Sequence, residues 1–135
     1  MANALYDKGR EAFLAGGINW SGDSIKAVLV DTGAYTVNLA THQFLSDIPA
    51  GARIATSANL GSKTVAAGVA DAADSLFTAV SGASVEAVVL YKDTGTAGTS
   101  ALIAYIDTAS GLPVTPNGGD ITVAWDNGAN KIFKL

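Results

Sequence analysis

After Gly17 the hydrophobic pattern leaves a helical period for a strand period, and the shorter period governs most of the remaining chain. Ser24 to Val30 places Ile25, Ala27 and Leu29 on one face and Lys26, Val28 and Val30 on the other. Ser84 to Lys92 repeats the pattern, with Val85, Ala87, Val89 and Tyr91 opposite Glu86, Val88, Leu90 and Lys92. Both faces of both segments are mostly apolar, so each predicts a strand covered on two sides. Further strands are expected at Arg53 to Leu60 (short, polar, at an edge), Thr64 to Ala70, Leu76 to Val80, Leu102 to Asp107, Ile121 to Trp125 and Lys131 to Leu135. Asp126-Asn127-Gly128 is a hairpin signal between the last two. Turn signals recur every ~8 to 14 residues, the spacing of a sandwich or small barrel. The expected fold is mainly β: an antiparallel β-sandwich or small barrel with a short N-terminal α-helix.

That helix is expected from Ala2 to Ala15, with Asn3 as N-cap and Gly16-Gly17 as the stop. Leu5, Ala12 and Phe13 share a face. Gly9 weakens such a helix by about 1 kcal/mol relative to Ala, so it needs something to dock on. Its own sheet and a neighbouring subunit are both open as targets. A second short helix is expected over Thr41 to Asp47, capped by Thr41.

The 135 residues suffice for one domain burying roughly two-thirds of its unfolded surface. The chain is read as a single domain, residues 1–135, with 1–17 a helical docking segment and 18–135 the β domain. A composition 49% hydrophobic and 15% charged is not that of a disordered polyelectrolyte. Asp, Thr, Ser or Gly interrupts every apolar run before the ~20 residues that span a bilayer. Eight cations against twelve acids leave a net charge of −4, and the cations do not cluster. Neither a nucleic acid nor a membrane surface is therefore expected as a partner. Cysteine is absent, which removes disulfides, zinc-thiolate sites and cysteine nucleophiles. The N-terminus carries Asp7, Lys8, Arg10 and Glu11 and lacks the apolar core of a secretory signal.

No constellation for bond-making chemistry emerges. His42 is the single histidine, without a nucleophile elbow, and reads as a surface or capping residue. Asp71 and Asp74 could form a carboxylate pair, but no calcium-loop pattern accompanies them, and Asx turns between strands explain them. Asn117-Gly118-Gly119-Asp120 and Asp126-Asn127-Gly128 have the same explanation. Gly61-Ser62-Lys63-Thr64 resembles the end of a phosphate-binding loop, but Ser62 intervenes and no helix pattern follows. Trp20, Trp125, Tyr35, Tyr91 and Tyr105 could make a sugar-stacking platform, yet their positions suit core packing. No catalytic, cofactor-binding or metal-ligating residue is assigned and no cofactor is expected. The chain reads as one that buries surface against copies of itself or a larger partner.

The opening M-A-N-A-L-Y-D-K-G-R-E-A-F-L-A-G-G-I-N-W, followed by I-K-A-V-L-V-D, resembles small virion structural proteins of tailed bacteriophages and prophages. The closing A-Y-I-D-T-A-S-G-L-P-V-T-P-N-G-G-D-I-T-V-A-W-D-N-G-A-N-K-I-F-K-L is similar to the same group. The resemblance spans nearly the whole chain and carries no active-site motif. It implies a non-enzymatic virion component assembled in the host bacterial cytoplasm. A head decoration (cement) protein that bridges shell subunits is the favoured role; a tail, collar or head-fibre component is the alternative, and a carbohydrate-binding adhesion module comes after both. The implied partners are the major capsid protein or other virion proteins, with self-association as a homo-oligomer. On this reading Ala2 to Ala15 docks on the shell or a sister subunit, and Ile121 to Leu135 offers an edge for strand addition.

Overall fold

The chain begins with strand Ala4–Leu5 (β1), helix Asp7–Leu14 (α1) and strands Ile25–Val30 (β2) and Arg53–Thr56 (β3). Then come Thr64–Ala66 (β4), Val69–Asp71 (β5), Ser75–Phe77 (β6), Ala87–Lys92 (β7), Leu102–Ile106 (β8), Ile121–Val123 (β9) and Phe133–Lys134 (β10). This computed structural model describes residues 4–107, 109, 112–125 and 132–134. The fold is mainly β, with antiparallel sheets and one α-helix near the N-terminus.

The two strands with apolar residues on both faces lie side by side inside a five-stranded sheet of order β1-β8-β7-β2-β3. Ile25, Ala27, Leu29, Val88, Leu90 and Ile103 face one core. Val28, Val30, Ala87, Val89, Tyr91 and Tyr105 face the other. The first core is closed by residues of the two smaller sheets, β10-β5-β4 and β6-β9: Ala70, Phe77, Ile121, Val123 and Phe133 all belong to it. The second is closed mainly by loop residues, among them Tyr35, Leu45, Ile48 and Ala52.

The segment after β3 satisfies β2 without being a strand. Ser57 N–H and Leu60 N–H donate to the carbonyls of Ala27 and Ile25. The Ser57 hydroxyl and the Asn59 side-chain carbonyl accept from Ala27 N–H and Ile25 N–H, both at 2.9 Å. Side-chain oxygens thus stand in for the backbone carbonyls of a longer edge strand.

Several expectations are corrected. The N-terminal helix is shorter than Ala2 to Ala15, because Ala4 and Leu5 pair antiparallel with Tyr105 and Ala104. Tyr6, fully buried, precedes the helix as its N-cap, and its N–H donates to Ile103 O. Gly9 is the point of closest approach between α1 and β8: a Cβ built there would lie 2.6 Å from Leu102 O. The helix therefore docks on the chain's own sheet. The stop signal behaves as expected: Gly16 has φ +78°, Gly17 N–H donates to Ala12 O and Gly16 N–H to Phe13 O, a Schellman motif.

Thr41 to Asp47 is not an α-helix. Only Leu45–Asp47 forms a single 3-10 turn, and Phe44 is extended and bridges Ala101. The Asp47 carboxylate takes the N–H groups of Gln43 and Phe44, while Thr41 N–H goes to the Asn38 side chain. Thr64 to Ala70 is not one strand but a hairpin. Ala67 and Gly68 both have positive φ, +51° and +79°, the two central residues of a type I′ turn. Ile121–Val123 and Phe133–Lys134 join different sheets, on β6 and on β5, and do not pair with each other. The Asp126-Asn127-Gly128 turn lies outside the described residues.

Candidate functional site

Most of the described residues singled out for chemistry hold the fold. Trp20, Tyr35, Tyr91, Tyr105 and Trp125 are buried, as is Tyr6, so none offers a ring face to a sugar. Trp20 donates its indole N–H to Asp71 O, and Trp125 donates to Ala73 O. Asp74 accepts from Trp125 N–H, which ties the approach to β6 to the end of β9. The Asp120 carboxylate accepts from Ala79 N–H and the Asn117 side chain from Gly119 N–H. Lys63 donates to Asp23 O and to the Asn59 side chain rather than toward an empty loop, and β4 rather than a helix follows it. Burial moves Lys63 down from the ordinary lysine range. Among the described residues no group of three or more His, Asp or Glu side chains is placed to hold a metal ion, and no helix is long and apolar enough to cross a membrane.

His42 belongs to a hydrogen-bonded chain that its sequence neighbourhood does not announce. Its Nδ1 lies 2.8 Å from Tyr35 OH, which lies 2.9 Å from Tyr6 OH. Asn38 N–H also points at Nδ1, so that nitrogen is an acceptor. The polarity then runs one way: Tyr6 OH donates to Tyr35, and Tyr35 OH donates to His42. Burial, reinforced by the bond to Tyr35, raises Tyr6 well above the tyrosine range, and burial raises Tyr35 to about 12. The chain ties the start of α1 to the loop covering the second core.

Among the described residues there is an apolar opening. A cleft of about 430 Å³ lies where the end of α1 meets the β4–β5 hairpin and β10, lined by Phe13, Ile18, Trp20, Val65, Val69 and Phe133 among others. Its floor is an aromatic cluster: Phe133 stands edge-on to Trp20 at 5.2 Å between ring centroids and lies 5.9 Å from Phe13. Val65 is 62% exposed, and Leu14, next to Phe13 in the last helical turn, is 88% exposed. Cross-strand neighbours form a row, Phe133–Ala70–Val65, that runs from the core out to the edge of the sheet. Such an arrangement can bind apolar surface; among the described residues that line it there is no acid, base or nucleophile.

Sequence reasoning missed Leu14 and Val65. Leu14 follows the core-facing Phe13 directly, one position around the helix, so its outward direction follows from the helical period. Val65 was hidden because a single strand over Thr64 to Ala70 gave it no edge to stand on. No protein-family model matches the chain, and no curated protein matches it.

Proposed function

We propose that this chain is a non-enzymatic structural protein of a tailed-bacteriophage virion, acting as a capsid decoration (cement) protein that stabilises the head shell by bridging its subunits. The observation that carries the reading is exposed apolar surface: the apolar cleft with Val65 exposed in its lining, and Leu14 exposed next to the lining residue Phe13. The resemblance of both ends of the chain to small virion proteins supplies the particle. A shell filled with packaged DNA fails at the seams between subunits. An added module that buries surface on both sides of a seam strengthens it, and a modest interface repeated over the lattice suffices. The partner is the major capsid protein or another virion protein, met by apolar packing; neither a nucleic acid nor a membrane takes part.

The docking role first expected of Ala2 to Ala15 moves to the exposed large apolar residue of α1, Leu14 in its last turn. A cryo-electron map of the purified virion, with copy number by mass spectrometry, tests the proposal. The expected result is density for this chain on the outer face of the head, in many copies, with Leu14 against the shell. A few copies on the tail, collar or head fibres would support the alternative placement, and absence from the particle would overturn both. Leu14→Glu should lower occupancy of the head at least tenfold while the purified protein keeps its melting temperature.

A further inference from the structure

We infer that β4 pairs edge to edge with β4 of a second copy of this chain, across a two-fold axis through Val65. The inference deepens the reading above by naming a partner for one side of the contact surface.

It starts from the hairpin. Ala66 and Val69 close the type I′ turn and are its hydrogen-bonded pair, and antiparallel ladders alternate hydrogen-bonded with non-hydrogen-bonded pairs. The next pair, Val65 with Ala70, is therefore the non-bonded kind, so Val65 N–H and C=O point away from β5. Among the described residues β4 has no neighbour on that side. All three of its residues are exposed and uncharged. Edge strands that must stay single carry a lysine, a proline or a bulge. Here the one flanking cation, Lys63, is tied back to Asp23 O and Asn59.

Outward N–H and C=O groups on one residue match an antiparallel strand, and two copies of the same residue can exchange both bonds on a two-fold axis. With Val65 facing Val65 of the second copy, Thr64 faces Ala66 and no like charges meet. The apolar row Phe133–Ala70–Val65 then continues without a break into its symmetry mate. An unrelated strand would satisfy the backbone, but only a second copy prolongs this row by symmetry. The small sheets of two copies become one six-stranded sheet.

Sedimentation velocity of the purified full chain over a concentration series tests this. The wild type should show a reversible dimer. Val65→Pro should abolish it with an unchanged far-ultraviolet spectrum, because the lost N–H is not used within the monomer. Val65→Lys, which sets two like charges face to face, should weaken it at least tenfold and keeps the test valid if the proline variant fails to fold. Directly opposed residues of a hydrogen-bonded pair have Cα atoms about 5.5 Å apart, within the span of a disulfide. In this cysteine-free chain, Val65→Cys should cross-link to a dimer on mild oxidation much faster than Thr122→Cys, an exposed position on β9. A wild type that stays monomeric, a dimer indifferent to both Val65→Pro and Val65→Lys, or equal cross-linking of the two cysteine variants would each overturn the inference. A monomer found in many copies on the head would leave the virion role standing. A Val65-dependent dimer missing from virions would do the opposite.

Discussion

Gly9 shows how a residue can be weighed correctly for its helix and wrongly for the molecule. On propensity alone, Gly9→Ala stabilises α1 by about 1 kcal/mol. Here the added methyl group would meet the carbonyl oxygens of Leu102 and Ile103. Overpacking of this kind costs about 1–3 kcal/mol, so the substitution should destabilise, and urea unfolding will read the sign directly. Gly16 is the converse case: nothing crowds it, but its φ of +78° makes Gly16→Ala cost about 1–2 kcal/mol through the backbone alone. The stop at Gly16 was legible because a Schellman cap is local, whereas the role of Gly9 was not, because the atoms it makes room for lie on β8. Tyr35→Phe would leave the buried Tyr6 hydroxyl without its acceptor and is expected to cost about 1–3 kcal/mol in the same measurement.

Elements were legible where burial on both faces left a continuous apolar pattern. Ile25–Val30 and Ala87–Lys92 emerge within the segments read from their side-chain alternation, and the face assignment holds from Ile25 to Val30, Lys26 standing opposite Tyr91 with its ammonium 2.9 Å from the Asp93 carboxylate. Short elements were not legible. The turn at Ala67-Gly68 looks like strand because alanine usually avoids positive φ. The 3-10 turn at Leu45–Asp47 exists because one carboxylate gathers two N–H groups, which no period records. The N-terminal segment is the most consequential case. A docking segment of residues 1–17 attached to a β domain of residues 18–135 implies that the β fold survives without Met1 to Gly17, but Leu5 sits in one core and Tyr6 in the other. Each buried side chain of that size contributes about 1.5–3 kcal/mol, against a total stability of about 5–15 kcal/mol for a domain. The truncated chain should lose its cooperative thermal transition, checked by calorimetry. Retention of that transition would mean β1 and α1 are appendages.

At the scale of the whole molecule, charge and burial set a stability plateau with two different edges. Phe44 and Gln43 N–H groups hold Asp47 below the usual carboxylate range, and the Lys26 ammonium does the same for Asp93. Burial works to raise Glu86, but hydrogen bonds from Ser84 and Thr32 outweigh it and leave it lowered. Groups lowered on folding contribute stability above the unfolded carboxylate value of about 4 and lose it as the pH falls through their folded values. Tyr6 and Tyr35 are raised, so their contribution is intact below pH 10.0 and is lost above it, for Tyr35 between 10.0 and about 12. Denaturation midpoints should be flat from about pH 5 to 9 and fall on both sides. Tyr35→Phe should make the alkaline fall less steep, which a pH series of urea melts can check. The mainly β class was readable from alternation across the chain. The cleft was not, because Phe13, Val65 and Phe133 meet only once the small sheet has formed.

The first strand, Ala4–Leu5, completes the outer border of the large sheet by pairing with β8, roughly a hundred residues further along the chain. A polypeptide leaving the ribosome N-terminus first must therefore carry those early residues unmatched until β8 has been made. Leu5 and Tyr6 stay in water through that interval, so closure of the sheet is a late event in the life of each copy, and a ribosome-stalled chain ending before Leu102 should be open to protease at its start.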